Sequence, residues 1–348
     1  MNVATWSPMS AIRRPSLAYL AGGLGIALAA RAVARWARVY DLHDKVTLIT
    51  GGSRGLGLVL ARELLDRGAR VAICARDPEE LHRAHAELAE RGPVLAMPCD
   101  VTDRAQVDRL VDRIRAALGP IEVLVNNAGI MEVGPMETMT VADYERAMAV
   151  HLWGPVQITL AVLPEMRLRG SGRIANIASI GGRLAVPHLL PYTVSKFALV
   201  GWSEGLRAEL APHNIAVTTV IPGLMRTGSV PHVQFKGRQR EEHAWFAIAA
   251  SLPVASMGAE RAARRIAEAI EHGDPEVVLS MQARLALLAR AVAPRLTQRM
   301  LAAVGRALPR PGGAGETPAE GRDLEDDDLE GSPWTRPTAR AARRNNEL

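Results

Sequence analysis

The feature that most constrains this 348-residue chain is the alternation of short apolar runs with amphipathic stretches between residues 45 and 280. Lys45–Thr50, Val71–Ala75, Val94–Met97, Val123–Val125, Arg173–Ala178 and Ala216–Ile221 are apolar runs of strand length, and Val277–Leu279 is a last edge. Between them, Leu56–Arg67 and Ala105–Leu118 repeat their apolar residues at helical spacing. Asp77-Pro78-Glu79-Glu80 opens a further helix, with Asp as cap, Pro in the first helical position and acid in the first turn. Repeated βα units predict an α/β fold: a Rossmann-like, doubly wound parallel sheet with helices on both faces and right-handed crossovers.

An apolar fraction of 48% with 23% charged residues is that of a chain with a sizeable core, and it excludes collagen-like, disulfide-scaffold and globally disordered classes. Cys74 and Cys99 sit in apolar runs and are expected as buried reduced thiols, and no Cys/His spacing predicts a metal site. The net charge is +5, and the basic side is nearly all arginine, with lysine only at Lys45, Lys196 and Lys236. A basic body suits nucleic acid, anionic lipid or a phosphorylated cofactor. An aromatic content of 4%, without zinc-finger or RNP-type motifs, argues against nucleic acid.

Four segments follow from the patterning. Residues 1–40 hold five arginines and no acids around the uncharged run Pro15–Ala30. The run is slightly short of the roughly 20 apolar residues of a spanning helix. It reads as an apolar N-terminal helix serving as membrane anchor, which would put the protein on the cytoplasmic side of a membrane with contact through residues 13–38. The competing readings are a cleaved signal with Ala27-Leu28-Ala29 as processing site, or a loosely docked amphipathic helix. Residues 41–280 form a single catalytic domain. Residues 281–309 carry two arginine-rich helical stretches parted by Pro294, which suit either a membrane surface or packing on the body or a second subunit. Residues 310–348 hold nine acids and six arginines among Pro and Gly, and are expected to be disordered.

The first strand runs into Thr50-Gly51-Gly52-Ser53-Arg54-Gly55-Leu56-Gly57. A strand, a glycine-rich turn and a helix N-terminus together suit an anionic phosphate. Where an NAD-type site usually places an acid after the second strand, this chain has Ala75-Arg76, and Asp77 is accounted for as a helix cap. Arg54 and Arg76 beside a 2′-phosphate favour NADP(H), with NAD(H) the second choice. Further along, Tyr192 and Lys196 are four residues apart and share one helix face. An ammonium beside a phenol lowers its pKa toward useful acid/base range. Ser179 stands just past a strand. The glycine loop, Asn126–Gly129, Ser179 and Pro222-Gly223 all fall at strand C-termini, where parallel sheets form their ligand crevice.

These motifs, with Asp100-Val101 and the run from Pro222 to Thr227, resemble the classical short-chain dehydrogenase/reductase family over residues 44–280. The resemblance implies that Gly51, Ser53, Arg54, Gly55, Leu56 and Gly57 hold the cofactor phosphates, and that Asp100 and Val101 flank the adenine. It implies that Asn127, Ala128 and Gly129 line the cofactor channel, and that Pro222, Gly223 and Thr227 position the nicotinamide end. Tyr192 would be the acid/base, Ser179 the partner of the substrate oxygen, and Lys196 the residue that binds the ribose and lowers the phenol's pKa. One position departs: His151 stands where the family usually has an asparagine that supports a proton-relay water. Histidine titrates near neutrality, so an altered pH dependence is expected.

The function implied is hydride transfer between NADP(H) and a carbonyl or secondary alcohol. Val230, Val233, Phe235, Trp245, Phe246 and Ile248, in a substrate lid over Leu224–Gly258, predict a lipophilic substrate together with Leu184, Val186, Leu189 and Leu190. A homo-oligomer is expected from the family's habit. The alternative is a catalytically silent NADP(H)-binding sensor or scaffold on the same fold.

Overall fold

The structure, a computed structural model, describes residues 39–251, 256–324 and 336–348. Seven strands form its central sheet: β1 (Val46–Thr50), β2 (Arg70–Ala75), β3 (Val94–Pro98), β4 (Val123–Asn126), β5 (Gly172–Ile177), β6 (Ile215–Ile221) and β7 (Glu276–Val278). Their order is β3-β2-β1-β4-β5-β6-β7, and every pairing is parallel. The sequence-predicted strands therefore all form, with ends shifted by a residue or two. Cys74 and Cys99 are buried free thiols, as expected.

Alternation along the strands builds the two cores. In β1, Ile49 faces the core shared with the helices Gly55–Asp66 and Ala259–His272, while Leu48 faces the core under Arg104–Leu118 and Gly154–Arg169. In β2, Val71 and Ile73 serve the first side, and Ala72 and Cys74 the second. Each fully buried leucine or isoleucine removed from water in this way stabilises the fold by about 1.5–3 kcal/mol. Asp77 caps the helix Pro78–Ala89 as predicted, accepting the Glu79 and Glu80 backbone N–H groups.

Two expectations need correction. The N-terminal apolar run lies outside the described residues. Among the described residues, the helix long and apolar enough to cross a membrane is mid-chain, Val141–Arg169. Its Ile158, Val162, Leu163 and Met166 are packed into the sheet core. The expected N-terminal membrane helix, and the membrane-side localisation built on it, are overturned on this ground.

The second correction concerns the tail expected to be disordered: residues 325–335 lie outside the described residues, but 310–324 and 336–348 do not follow the expectation. Ala319–Glu320 pairs antiparallel with Gln234–Phe235, which in turn pairs with Glu132–Val133. The helix Arg336–Arg344 buries Thr338, Ala341 and Ala342, and Asn345 and Glu347 are buried beyond it. Low overall hydropathy hid two small apolar residues and a set of amides and carboxylates that find partners on the body. Tyr40–Leu348 packs as one compact unit, these pieces included.

The helices Met281–Val292 and Pro294–Ala307 are both present, separated at Pro294. Their Leu285, Leu288, Val292, Leu296 and Met300 are exposed.

Candidate active site

The switch point of the sheet lies at β1, whose neighbours β2 and β4 run off in opposite directions along the chain. The glycine loop leaves β1 there. Gly51 and Gly55 have φ of +63° and +55°, a region that disfavours any side chain. Thr50 Oγ1 accepts the Asn127 and Ala128 N–H groups, each at 3.0 Å, and Asn127 Nδ2 donates to the Thr50 and Gly51 carbonyls, each at 3.0 Å. The end of β4 is thus laced to the loop. Leu56 and Gly57 lie buried in the first turn of Gly55–Asp66.

Neighbouring strand ends add the other expected residues. Arg76 is exposed after β2. Beside it, Asp77 is committed to its helix cap, which lowers its carboxyl pKa. Past β3, Asp100 Oδ1 accepts the Thr102 N–H at 2.9 Å and hydroxyl at 2.8 Å, and Val101 is buried against Gly154. After β6, the Pro222 carbonyl accepts the Ile180 N–H at 2.7 Å, Gly223 abuts Ser280, and the Thr227 hydroxyl donates to Ser229 Oγ at 3.0 Å.

Ser179 follows β5, and its Oγ accepts the Gly181 N–H at 3.0 Å. Against this turn packs the helix Leu190–Leu210, which carries Tyr192 and Lys196. Lys196 Nζ donates to the Ile177 carbonyl at 2.8 Å and lies 5.7 Å from the Tyr192 ring centroid. Burial pushes the lysine pKa down to about 7. Burial also raises the Tyr192 phenol above its ordinary value, with the Ser179 hydroxyl holding it down in part. Sequence reasoning expected the ammonium to dominate. Desolvation dominates instead, and the phenol is protonated at neutral pH.

His151 departs further from expectation. It occupies a π turn, Ala149–Trp153, within the helix Val141–Arg169; such turns are frequent at functional sites. Its Nε2 accepts the Ile130 N–H at 3.1 Å, and its Nδ1 lies 2.7 Å from Ser195 Oγ. A backbone N–H can only donate, so the ring proton must sit on Nδ1 and point to Ser195. Ser195 Oγ donates in turn to the Tyr192 carbonyl at 2.8 Å. The ring also meets Tyr192 edge-on, with centroids 5.4 Å apart. Burial first, and the Lys196 ammonium second, hold its pKa well below the ordinary histidine range. His151 is therefore a neutral strut of fixed tautomer, and the expected titration near neutrality does not arise from it. His151→Phe keeps a ring but strands the Ile130 N–H and takes from the Ser195 oxygen the N–H it accepts. It is expected to cost about 3 kcal/mol of stability in urea unfolding.

Arg54 also differs from expectation. Its guanidinium is engaged by Glu80 at 3.4 Å and by Glu347 at 3.1 Å. Ser53 is buried and donates its hydroxyl to Glu80 Oε2 at 3.0 Å. Burial raises the Glu347 carboxyl to about 7 in spite of the Arg54 charge. Sequence reasoning missed Thr50, Ser195, Asn345, Asn346 and Glu347. Thr50 and Ser195 lay inside the quoted glycine-loop and Tyr192–Lys196 motifs, whereas the contacts of Asn345, Asn346 and Glu347 join distant segments and leave no local signal.

An apolar cluster borders the site. Leu189, Val230, Val233, Phe235 and Phe246 are buried together, and Val186, Trp245 and Tyr192 pack against them.

The pattern of the family described as short chain dehydrogenase matches residues 45–235. A fruit-fly (Drosophila melanogaster) protein, dehydrogenase/reductase SDR family protein 7-like, is 32% identical over 263 residues, covering 74% of this chain and 79% of that protein. Among solved structures, a short-chain dehydrogenase from Streptomyces avermitilis superposes with a TM-score of 0.66 at 32% identity, over 76% of this chain and 98% of its own. A gluconate 5-dehydrogenase from Burkholderia cenocepacia, solved in complex with NADP and tartrate, gives a TM-score of 0.62 at 28% identity, over 71% of this chain and 98% of that one. Sequence and fold agree over the same body of the chain, and the protein is an oxidoreductase of the short-chain dehydrogenase/reductase family.

Proposed function

We propose that the protein is an NADP(H)-dependent carbonyl reductase acting on a lipophilic substrate, with Tyr192 as the proton donor. The observation that carries this reading is the grouping of Ser179, Tyr192 and Lys196 at the end of β5, with the phenol held protonated by burial. A protonated phenol beside a serine hydroxyl suits delivery of a proton to a carbonyl oxygen. The bound nicotinamide would supply the hydride. Ser179 would hold the substrate oxygen, and Lys196 would bind the nicotinamide ribose and offer positive charge to the phenolate that forms. His151 and Ser195 would fix the turn of helix that carries Tyr192.

The glycine loop suits a dinucleotide phosphate. A carboxylate already lies against Gly55 at the start of a helix, where N–H groups and the helix dipole favour an anion. Preference for NADP(H) is supported by the exposed Arg76 and by Asp77, whose carboxylate is taken by its helix cap. The gluconate 5-dehydrogenase relative, bound to NADP, is in keeping with this choice. The apolar wall around Phe235 and Phe246, against which Tyr192 packs, supports a lipophilic substrate.

The test is NADPH consumption with apolar ketones, quinones and 3-oxoacyl thioesters, alongside dinucleotide titrations. Turnover is expected with at least one apolar ketone. NADPH should bind at least about tenfold more tightly than NADH, and Arg76→Ala should erase most of that preference. Equal dissociation constants for the two dinucleotides would overturn the cofactor reading.

A further inference from the structure

Two anion-binding groups of the glycine loop, the Gly55 N–H and the Arg54 guanidinium, are already engaged by the far end of the chain. The Gly55 N–H, first of the helix Gly55–Asp66, donates to the Asn345 carbonyl at 2.9 Å. Asn346 Nδ2 donates to the Ser53 carbonyl at 2.8 Å and to the Glu80 carbonyl at 3.0 Å. The Glu347 carboxylate pairs with Arg54 at 3.1 Å, and one of its oxygens lies 2.5 Å from where a Cβ on Gly55 would sit. Beside Gly55, Asn345 Nδ2 donates to the Thr227 carbonyl at 3.0 Å.

The segment is held from outside the loop as well. Arg62 donates to Asn345 Oδ1 at 3.2 Å and to the Arg344 carbonyl at 2.8 Å, and Arg83 donates to Asn346 Oδ1 at 2.7 Å. His232, whose Nδ1 accepts from Arg322 at 2.8 Å, directs its Nε2–H to the Glu347 carbonyl at 2.9 Å. Behind these contacts, Thr338 in the helix Arg336–Arg344 shares a hydrogen bond with Ser251 at 2.6 Å.

We propose that the dinucleotide cleft has a second, built-in ligand, the acidic segment Asn345-Asn346-Glu347, which binds the glycine loop in competition with the cofactor phosphates. The inference rests on the reading of this loop as the dinucleotide site. An anion is what a helix N-terminus with free N–H groups and a nearby guanidinium recognises. The Asn345 carbonyl takes the Gly55 N–H and the Glu347 carboxylate takes the Arg54 guanidinium, so a cofactor phosphate cannot use either group while the segment is in place. Binding NADPH then requires the segment to leave. Its apparent affinity is lowered by the fraction of molecules with the cleft closed.

The experiment is an NADPH fluorescence titration of the full chain, of Glu347→Gln, and of a chain lacking residues 336–348. Removing the segment is expected to tighten NADPH binding at least tenfold, and Glu347→Gln several-fold. A synthetic peptide of residues 336–348 should compete with NADPH for the shortened chain. In the full chain, saturating NADPH should speed tryptic cleavage at Arg343 and Arg344 by lifting the segment from the body.

Dissociation constants within twofold across the variants, with cleavage unchanged by NADPH, overturn the proposal and leave the dinucleotide reading intact. Absence of NADPH and NADH binding in every variant overturns both. Should the shortened chain fail to fold by circular dichroism, Glu347→Gln and the cleavage rate decide the matter alone.

Discussion

Tyr192→Phe is expected to lower the rate of NADPH-dependent carbonyl reduction by a factor of about 10²–10⁴, while NADPH still binds. The change removes one hydroxyl and keeps the ring, so the packing against His151 and the apolar cluster survives. Single-turnover kinetics beside a binding titration separate the two effects. Retention of full turnover would remove Tyr192 from the mechanism. The direction of the pKa shift adds a pH signature. Burial raises the phenol above 10, so reduction finds its donor protonated throughout the neutral range. Oxidation of the alcohol needs the phenolate, whose population grows tenfold per pH unit below the pKa. Oxidation should therefore climb steeply between pH 7 and pH 9. An oxidation rate already level at pH 7 would show that the bound state lowers the phenol far more than Ser179 alone does.

Gly57→Ala is expected to be the most damaging conservative substitution in the cofactor loop. A Cβ there would lie 2.0 Å from the Gly51 carbonyl oxygen and 2.6 Å from Asn127 Nδ2. Both atoms are fixed, because that amide donates to that carbonyl at 3.0 Å. Relief requires the helix Gly55–Asp66 to back away from the loop, which strains its packing against Ala259–His272. A loss of about 3 kcal/mol in urea unfolding is expected, with dinucleotide affinity down at least about 100-fold. Gly201→Ala is the control. Nothing lies within 4 Å of its added methyl, so helix propensity alone should make the change neutral or mildly stabilising.

The parts of this molecule that were legible in the sequence are those set by local rules. Val46–Thr50 and Ile215–Ile221 are apolar because both faces of the sheet are covered, and the runs announce themselves. Asp77 caps its helix for reasons contained in four consecutive residues. Tyr192 and Lys196 share a face because a helix repeats every 3.6 residues. What escaped depends on distance and burial. Asn346 reaches Ser53 across 293 residues through an amide and a carbonyl, an interaction without periodicity or apolar signature. The composition around it is that of a solvated tail, and composition was the only guide available. His151 was visible as a departure from the family, yet its neutrality follows from a backbone donor at Ile130 and from the nearness of Lys196. The same holds for the phenol, where the sequence supplies the ammonium and only the fold supplies the desolvation.

The π turn at Ala149–Trp153 has a further consequence. It lets one helix serve two masters: His151 is aimed at Ile130 and Ser195, while Ile158, Val162 and Met166 are aimed at the sheet. A wide turn holds one residue more than an ordinary one, and each residue of a helix accounts for about 100° of rotation and 1.5 Å of rise. Losing a single residue here would regularise the helix and swing one set of side chains out of phase with the other. Segment length is thus more tightly constrained at this point than residue identity. Variation along the lineage should enter it as substitution, with insertions and deletions confined to the loops on either side.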